Sequence, residues 1–429
     1  MIFIRTFLLF LIFFSSNSLL SQLRIEIRSG LEEPLRIAVV PIEWSIESPP
    51  NHYVHEVIKK DLELFGEFKV IDPEVMLSLP VNLEEVFYRD WRLLDIDYLV
   101  IGSAKALGDL EVSLDYFIID IASEKIIHKA IISGSLISIK RIAHNISDKI
   151  YEKISGLSGI FSTRIAYVDK PYKSLDRYDL RITDIDGDND LSLFSSEQPI
   201  LSPAWSPSGQ ELAYVSFEEG TSRIYIQELA TGTRRPLKRE EGINSSPSWS
   251  PDGRYIAAVL SKGDNPDIYI YDLRHNSWKQ LTSHYGIDTE PDWSESGNSL
   301  IFTSNRSGSP QIYEINIKSK RIKRKTFEGT YNARARYLSN GKKIIYIHRK
   351  KGVFHVALQD LRSGKIRILT DTLLDESPSV SPNGNVIIYA TKDGDRDVLA
   401  GVTLNSQTKF TLPSASGGAR EPSWSPKID

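Results

Sequence analysis

The sequence predicts an α+β multidomain protein: a small N-terminal α/β domain, then a six-bladed β-propeller of WD40-like repeats closed by pairing of its N- and C-terminal strands. Two observations predict it. A Pro-x-Trp-Ser-Pro-x-Gly motif recurs through the second half at near-constant spacing, and the residues before it show helix and strand patterns without that period. A third, an apolar leader, places the chain outside the cytoplasm.

The motif reads PAWSPSG at 203–209, PSWSPDG at 247–253 and PDWSESG at 291–297. Weaker copies are ARYLSNG at 335–341 and PSVSPNG at 378–384, and a last copy begins at Pro422. The third position is Trp205, Trp249, Trp293, Tyr337, Val380 and Trp424, in steps of 44, 44, 44, 43 and 44 residues. A period of about 40–45 residues carrying four short strands is the propeller pattern. Each unit reads as an inner strand whose aromatic packs between blades, a Pro-x-Gly turn, and further alternating strands such as DIYIYDL at 267–273. RIAYVDK at 164–170 begins a blade without an inner strand, and REPSWSP at 420–426 is an inner strand without a blade. Together they complete the ring and remove its open edges.

Before the repeats, LRIAVVPI (35–42) and DYLVIGSA (97–104) read as buried strands. His52 to Phe65 reads as an amphipathic helix, and the segments around 110–121 and 124–134 as a hairpin. Ile139, Ile142, Ala143, Ile146, Ile150 and Ile154 line a last helix closed by Gly156. The expected divisions are a signal peptide at 1–21, a partner-binding segment at 22–33, the α/β domain at 34–157 and the propeller at 158–429. The linker around Gly156 to Ser162 is short enough to bring the two domains into contact.

Arg5, the apolar run Phe7–Phe14 and the polar Ser15–Ser18 form a signal-peptide pattern, too short to span a bilayer of about 20 residues. Cleavage is expected after Ser21, with Ser18 as the alternative. With no cysteine, a lipid anchor, disulfides, thiolate metal sites and thiol catalysis are excluded. A net charge of −4 argues against nucleic acid or an anionic membrane as partner. The basic run Lys318–Lys325 reads as a charged edge strand.

LRIEIRSG after the leader, FSTRIAYV at 161–168, SPAWSPSGQELAYVSFE at 202–218, TEPDWS at 289–294 and LLDESPSVSPNG at 373–384 carry a family resemblance. With the terminal PSWSP, the chain resembles the TolB family of the Tol–Pal envelope system over its mature length. The resemblance implies a periplasmic, non-enzymatic scaffold. It implies binding of the peptidoglycan-associated lipoprotein Pal at the propeller mouth and of the inner-membrane protein TolA through the N-terminal segment. It also implies a part in outer-membrane constriction at cell division and in envelope integrity. Leu23, Arg24, Ile25, Glu26, Ile27, Arg28, Ser29 and Gly30 would form the TolA-reaching segment, with Arg28 standing where an acidic residue is expected.

The repeat also yields a geometric set. The residue before each motif is expected in the loop leading into the inner strand, ringing one mouth: Ser202, Ser246, Glu290, Arg334, Ser377 and Glu421. One step earlier stand Leu201, Ser245, Thr289, Ala333, Glu376 and Arg420. Loops on a rigid scaffold are where recognition usually sits. The motif tryptophans read as core rather than a sugar-stacking platform. The run Asp184, Asp186, Asp188 and Asp190 reads as a hairpin turn rather than a calcium loop, since Asn189 and Ser195 occupy its required Gly and Glu positions. His52 and His55 lack a third ligand for zinc. No Gly-x-Ser-x-Gly elbow supports a hydrolase, and few loop aromatics support a glycan-binding propeller. A monomer with no catalytic residues, metal or cofactor is expected.

Overall fold

The computed structural model describes residues 24–26, 33–45, 53–171, 177–263, 265–339, 341–412 and 417–427. The leader, Leu23, the segment Ile27 to Gly30, and His52 lie outside them.

The N-terminal part is a mixed sheet with helices on both faces. Strand Leu35–Val39 runs parallel to Phe68–Ile71 on one side and to Tyr98–Ala106 on the other. Glu111–Asp120 and Lys125–Ser135 then continue the sheet as an antiparallel hairpin. Buried on both faces from Ile37 onward, the strand continues as an apolar run to Val40 rather than alternating. Helices α1 (Val54–Leu64) and α3 (Ile139–Ser155) lay Val54, Ile58, Leu62, Ile142, Ile146 and Ile150 against one face. Gly156 takes φ 74°, the left-handed cap that ends α3. Helix α2 (Tyr88–Leu93) covers the other face with Trp91.

The remainder is a ring of six four-stranded sheets. In the first blade Arg164–Asp169 pairs with Ala419–Trp424, so the chain's last described strand supplies that blade's inner strand. The ring closes as the sequence predicts. The inner strands of blades two to six are Ile200–Trp205, Asn244–Trp249, Asp288–Trp293, Asn332–Tyr337 and Glu376–Val380. Each motif tryptophan is buried and stitches blades together. Trp249 Nε1 donates to Ala204 O at 3.1 Å, Trp293 Nε1 to Ser248 O at 3.1 Å and Trp205 Nε1 to Ser423 O at 3.0 Å. Their rings are core, so they form no stacking platform. Ile322–Arg324, from the basic run, is the outer strand of its blade.

The two parts share one apolar core. Phe65 stacks on Phe161 at 5.3 Å and tilts against Phe410 of the sixth blade at 5.7 Å. Asn385 Nδ2 donates to Glu67 Oε1 at 3.1 Å, and Ser406 Oγ to Phe65 O at 3.0 Å. Lys60 and Lys140 reach Asp186 and Asp188 in the first blade. Of these propeller residues, Asn385 lies in a turn from the first strand to the second, and Asp186, Asp188 and Ser406 lie in turns from the third to the fourth, which share one face of the ring. The α/β domain therefore covers that face, and the connections between blades crowd the opposite one. Near the N-terminus, Arg24–Glu26 adds an antiparallel strand to Lys409–Leu412 at the outer edge of the sixth blade. No helix among the described residues is long and apolar enough to cross a membrane.

Candidate partner-binding mouth

The inner strands share an irregularity. Ser202, Ser246, Glu290, Arg334, Ser377 and Glu421 all have φ between 50° and 56°. Left-handed backbone costs a non-glycine residue on the order of 1–3 kcal/mol and persists only where the surroundings over-determine it. Here the ladder does so. The pairing register of every inner strand shifts at this point, for example between Leu201 and Ala204 and between Thr289 and Asp292. Each blade thus carries a β-bulge, which re-aims one side chain. The six residues line a central cavity of about 340 Å³. The sequence places them in loops leading into the inner strands. They lie inside those strands instead, because the bulge is a property of strand pairing.

The preceding residues point elsewhere. Ala333 is buried and Leu201 packs against the apolar layer between the second and third blades. Arg420 pairs with Asp397, its Nε 2.6 Å from Oδ2. Ser245, Thr289 and Glu376 are half-buried. Of the twelve expected positions, the structure brings one per blade together at the axis.

Charge is unevenly distributed there. Arg334 Nε lies 2.7 Å from Glu290 Oε1, Nη2 lies 3.5 Å from Glu421 Oε1, and Nη1 donates to Ser377 Oγ. One guanidinium thus ties the fourth, sixth and first blades across the channel. Burial works against its charge, but Glu290, Glu421 and Glu376 outweigh that and hold it more firmly protonated than usual. Glu290 also accepts from Thr303 Oγ1 at 2.8 Å and from the Arg334 amide at 3.0 Å. Deeper in, burial pushes the Asp292 carboxyl up, opposed by Arg336 at 3.9 Å. Among the residues lining the cavity, the carboxyls of Glu290, Asp292 and Glu421 face the guanidiniums of Arg334 and Arg336, so acidic groups outnumber basic ones at the axis.

Around this polar centre stands an apolar rim. Ile243, Tyr285, Ile287, Phe327, Leu373 and Leu374 are exposed, Tyr285 at 85% and Leu373 at 77%. All lie in connections from the outer strand of one blade to the inner strand of the next. Sequence reading finds few loop aromatics and misses this rim. Its signal is a lone aromatic or leucine pair in otherwise polar connections, as in SHYGID and DTLLDE.

Comparison with known proteins decides the family. Models described as the TolB amino-terminal domain and the TolB beta propeller domain match residues 23–127 and 151–428. A Tol-Pal system protein TolB of Pseudomonas syringae pv. syringae is 51% identical over 429 residues, covering 99% of each chain. One of Nitrosococcus oceani is 53% identical, covering 96% of this chain and 95% of its own. The chain belongs to the TolB family.

The crystal structure of TolB from Acinetobacter baumannii superposes with a TM-score of 0.86 at 38% identity, over 95% of this chain and all of that one. The TolB-type likeness therefore spans both the sheet-and-helix part and the ring. In this TolB family member the acid run at 184–190 is a turn joining Tyr178–Asp184 to Leu191–Ser196, with Gly187 and Asn189 at positive φ. His55 is half-buried beside Tyr53, and burial lowers its pKa.

Proposed function

We propose that this chain is a periplasmic, non-catalytic scaffold of the Tol–Pal system. Its propeller mouth binds a peptidoglycan-associated lipoprotein, and its N-terminal segment engages a TolA-like inner-membrane protein. The two attachments link the outer membrane to an energised partner, which supports constriction at division and envelope integrity. The chain acts as a monomer, exported by its cleaved leader.

The observation that carries this reading is the free mouth face. The α/β domain occupies the opposite face, while an exposed apolar rim surrounds an acidic axis. Apolar anchors around a polar centre are what a protein partner needs, since a few buried aromatic or aliphatic contacts carry most of the energy at an interface. Six exposed apolar residues gathered in four consecutive blade connections on one face are more than the scattered singles a surface normally carries. The acidic axis favours a partner that brings basic or hydrogen-bond-donating groups to its centre.

A pull-down from envelope extract of the source cell tests it, with residues 22–429 as bait and a second bait carrying Tyr285→Asp and Phe327→Asp. Capture of a peptidoglycan-associated lipoprotein by the first bait and its loss from the second is expected. Equal capture by both moves the site off the rim. Retention of a glycan with no envelope protein overturns the scaffold reading.

A further inference from the structure

Away from the mouth, where α3 meets the first blade, one buried side chain has an unmet bond. His144 is 2% exposed, and its Nδ1 lies 3.0 and 2.8 Å from the two carboxylate oxygens of Asp61. Asp61 is fully buried on α1 and accepts that bond. Nε2 is buried and has no hydrogen-bond partner among the described residues. A ring nitrogen of His144 and one carboxylate oxygen each from Asp184 and Asp186 lie within 4.8 Å of one another. A cavity of about 210 Å³ opens beside them, lined among others by His144, Asp184, Asn189 and Arg164.

A histidine whose Nδ1–H is held by a buried carboxylate has its Nε2 lone pair fixed in direction. That carboxylate–histidine pairing is the usual support of a metal-binding imidazole. An imidazole and two carboxylates, with open space alongside, make three protein ligands plus a position for water. The nitrogen ligand suits zinc-class ions and disfavours calcium or magnesium, which want oxygen shells. Ligand atoms in tetrahedral zinc sites sit about 3.3–3.6 Å apart when bonds are about 2.0–2.2 Å long, a spacing compatible with atoms already within 4.8 Å of one another. We propose that His144, Asp184 and Asp186 bind one divalent zinc-class ion that ties α3 to the first blade, with Asp61 as positioning residue.

Neighbouring cations compete for these carboxylates. Lys140 Nζ lies 2.8 Å from Asp186 and 2.6 Å from Asp188, and Lys60 lies 3.5 and 3.7 Å from the same two. Arg164 Nε is 3.7 Å from Asp184. An incoming ion displaces Lys140 from Asp186, and Asp188 retains the ammonium. Metal affinity is therefore set by this exchange, and removing the Lys140 charge strengthens it.

The test is calorimetric titration of Zn²⁺ into chelator-treated, untagged residues 22–429, paired with visible absorption on adding Co²⁺. One ion per chain is expected, with cobalt absorption typical of a site with fewer than six ligands. Asp184→Asn should weaken binding by at least about tenfold, and Lys140→Met should tighten it. Because the two variants shift affinity in opposite directions, general damage to the fold cannot imitate the pattern. Absence of saturable Zn²⁺ uptake by the unmodified chain overturns the proposal. So does an affinity that neither variant changes.

Discussion

Removing the Arg334 guanidinium leaves Glu290 and Glu421 on opposite sides of the channel without the cation that joins them. Two effects follow: like charges repel, and Ser377 Oγ loses its donor. Arg334 is 32% exposed at its side chain, so water in the channel moderates the cost. Arg334→Met should lower unfolding stability by about 1–3 kcal/mol, read from denaturant midpoints. Adding Glu290→Gln should restore part of it, since the two side chains act as a pair; additive losses would show that the tie is not the source. At this scale the sequence is only half legible. Repeat position identifies Glu290 and Arg334 as equivalents 44 residues apart, but not that one neutralises the other. Tyr346, fully buried, stands inside the apolar strand Lys343–Lys350, and Tyr285, 85% exposed, stands in a polar connection. The sequence shows that difference, but not that Tyr285 faces the mouth. Asp61 and His144 stand 83 residues apart on different helices, so their pairing is equally invisible.

Elements were readable in proportion to their length and period. The 44-residue repeat exposes every inner strand, because each blade is a local unit. Helix α3 is equally plain, with its isoleucine stripe and glycine cap. Strand Phe68–Ile71 and helix α2 escape sequence reading; at four and six residues neither completes enough turns or alternations to show a period. The junction between elements offers a sharper test. A Cβ on Gly159 would sit 2.2 Å from the Asp148 Cα and 2.5 Å from its carbonyl oxygen. Those are helix backbone atoms and cannot step aside. Asp148 also accepts the Phe161 amide at 2.6 Å and the Ser162 hydroxyl at 2.6 Å, so the linker is pinned along α3. Gly159→Ala should cost about 1–3 kcal/mol, as overpacking does, and loosen the α/β domain from the ring. Gly108→Ala, with no neighbour within 4 Å, should stay within about 0.5 kcal/mol. Equal midpoints for the two variants would show that the linker is not tightly packed.

For the whole molecule, the ring and the α/β domain divide the labour by face. The ring of six blades closes because the first blade borrows Ala419–Trp424. The α/β domain then occupies one face through a shared core around Phe65, Phe161 and Phe410. That leaves the mouth as the face open to a partner. Domain order and closure were legible, since both follow from where the repeats start and stop. Which face would be covered was not, because it depends on contacts between distant segments such as Asn385 with Glu67. The most direct measurement is calorimetric titration of purified residues 22–429 with the soluble peptidoglycan-associated lipoprotein of the same cell. Saturable one-to-one binding that is lost with Tyr285→Asp and Phe327→Asp, while thermal unfolding stays unchanged, is the predicted result. No binding, or binding that the rim substitutions leave intact, would contradict the mouth as the docking face.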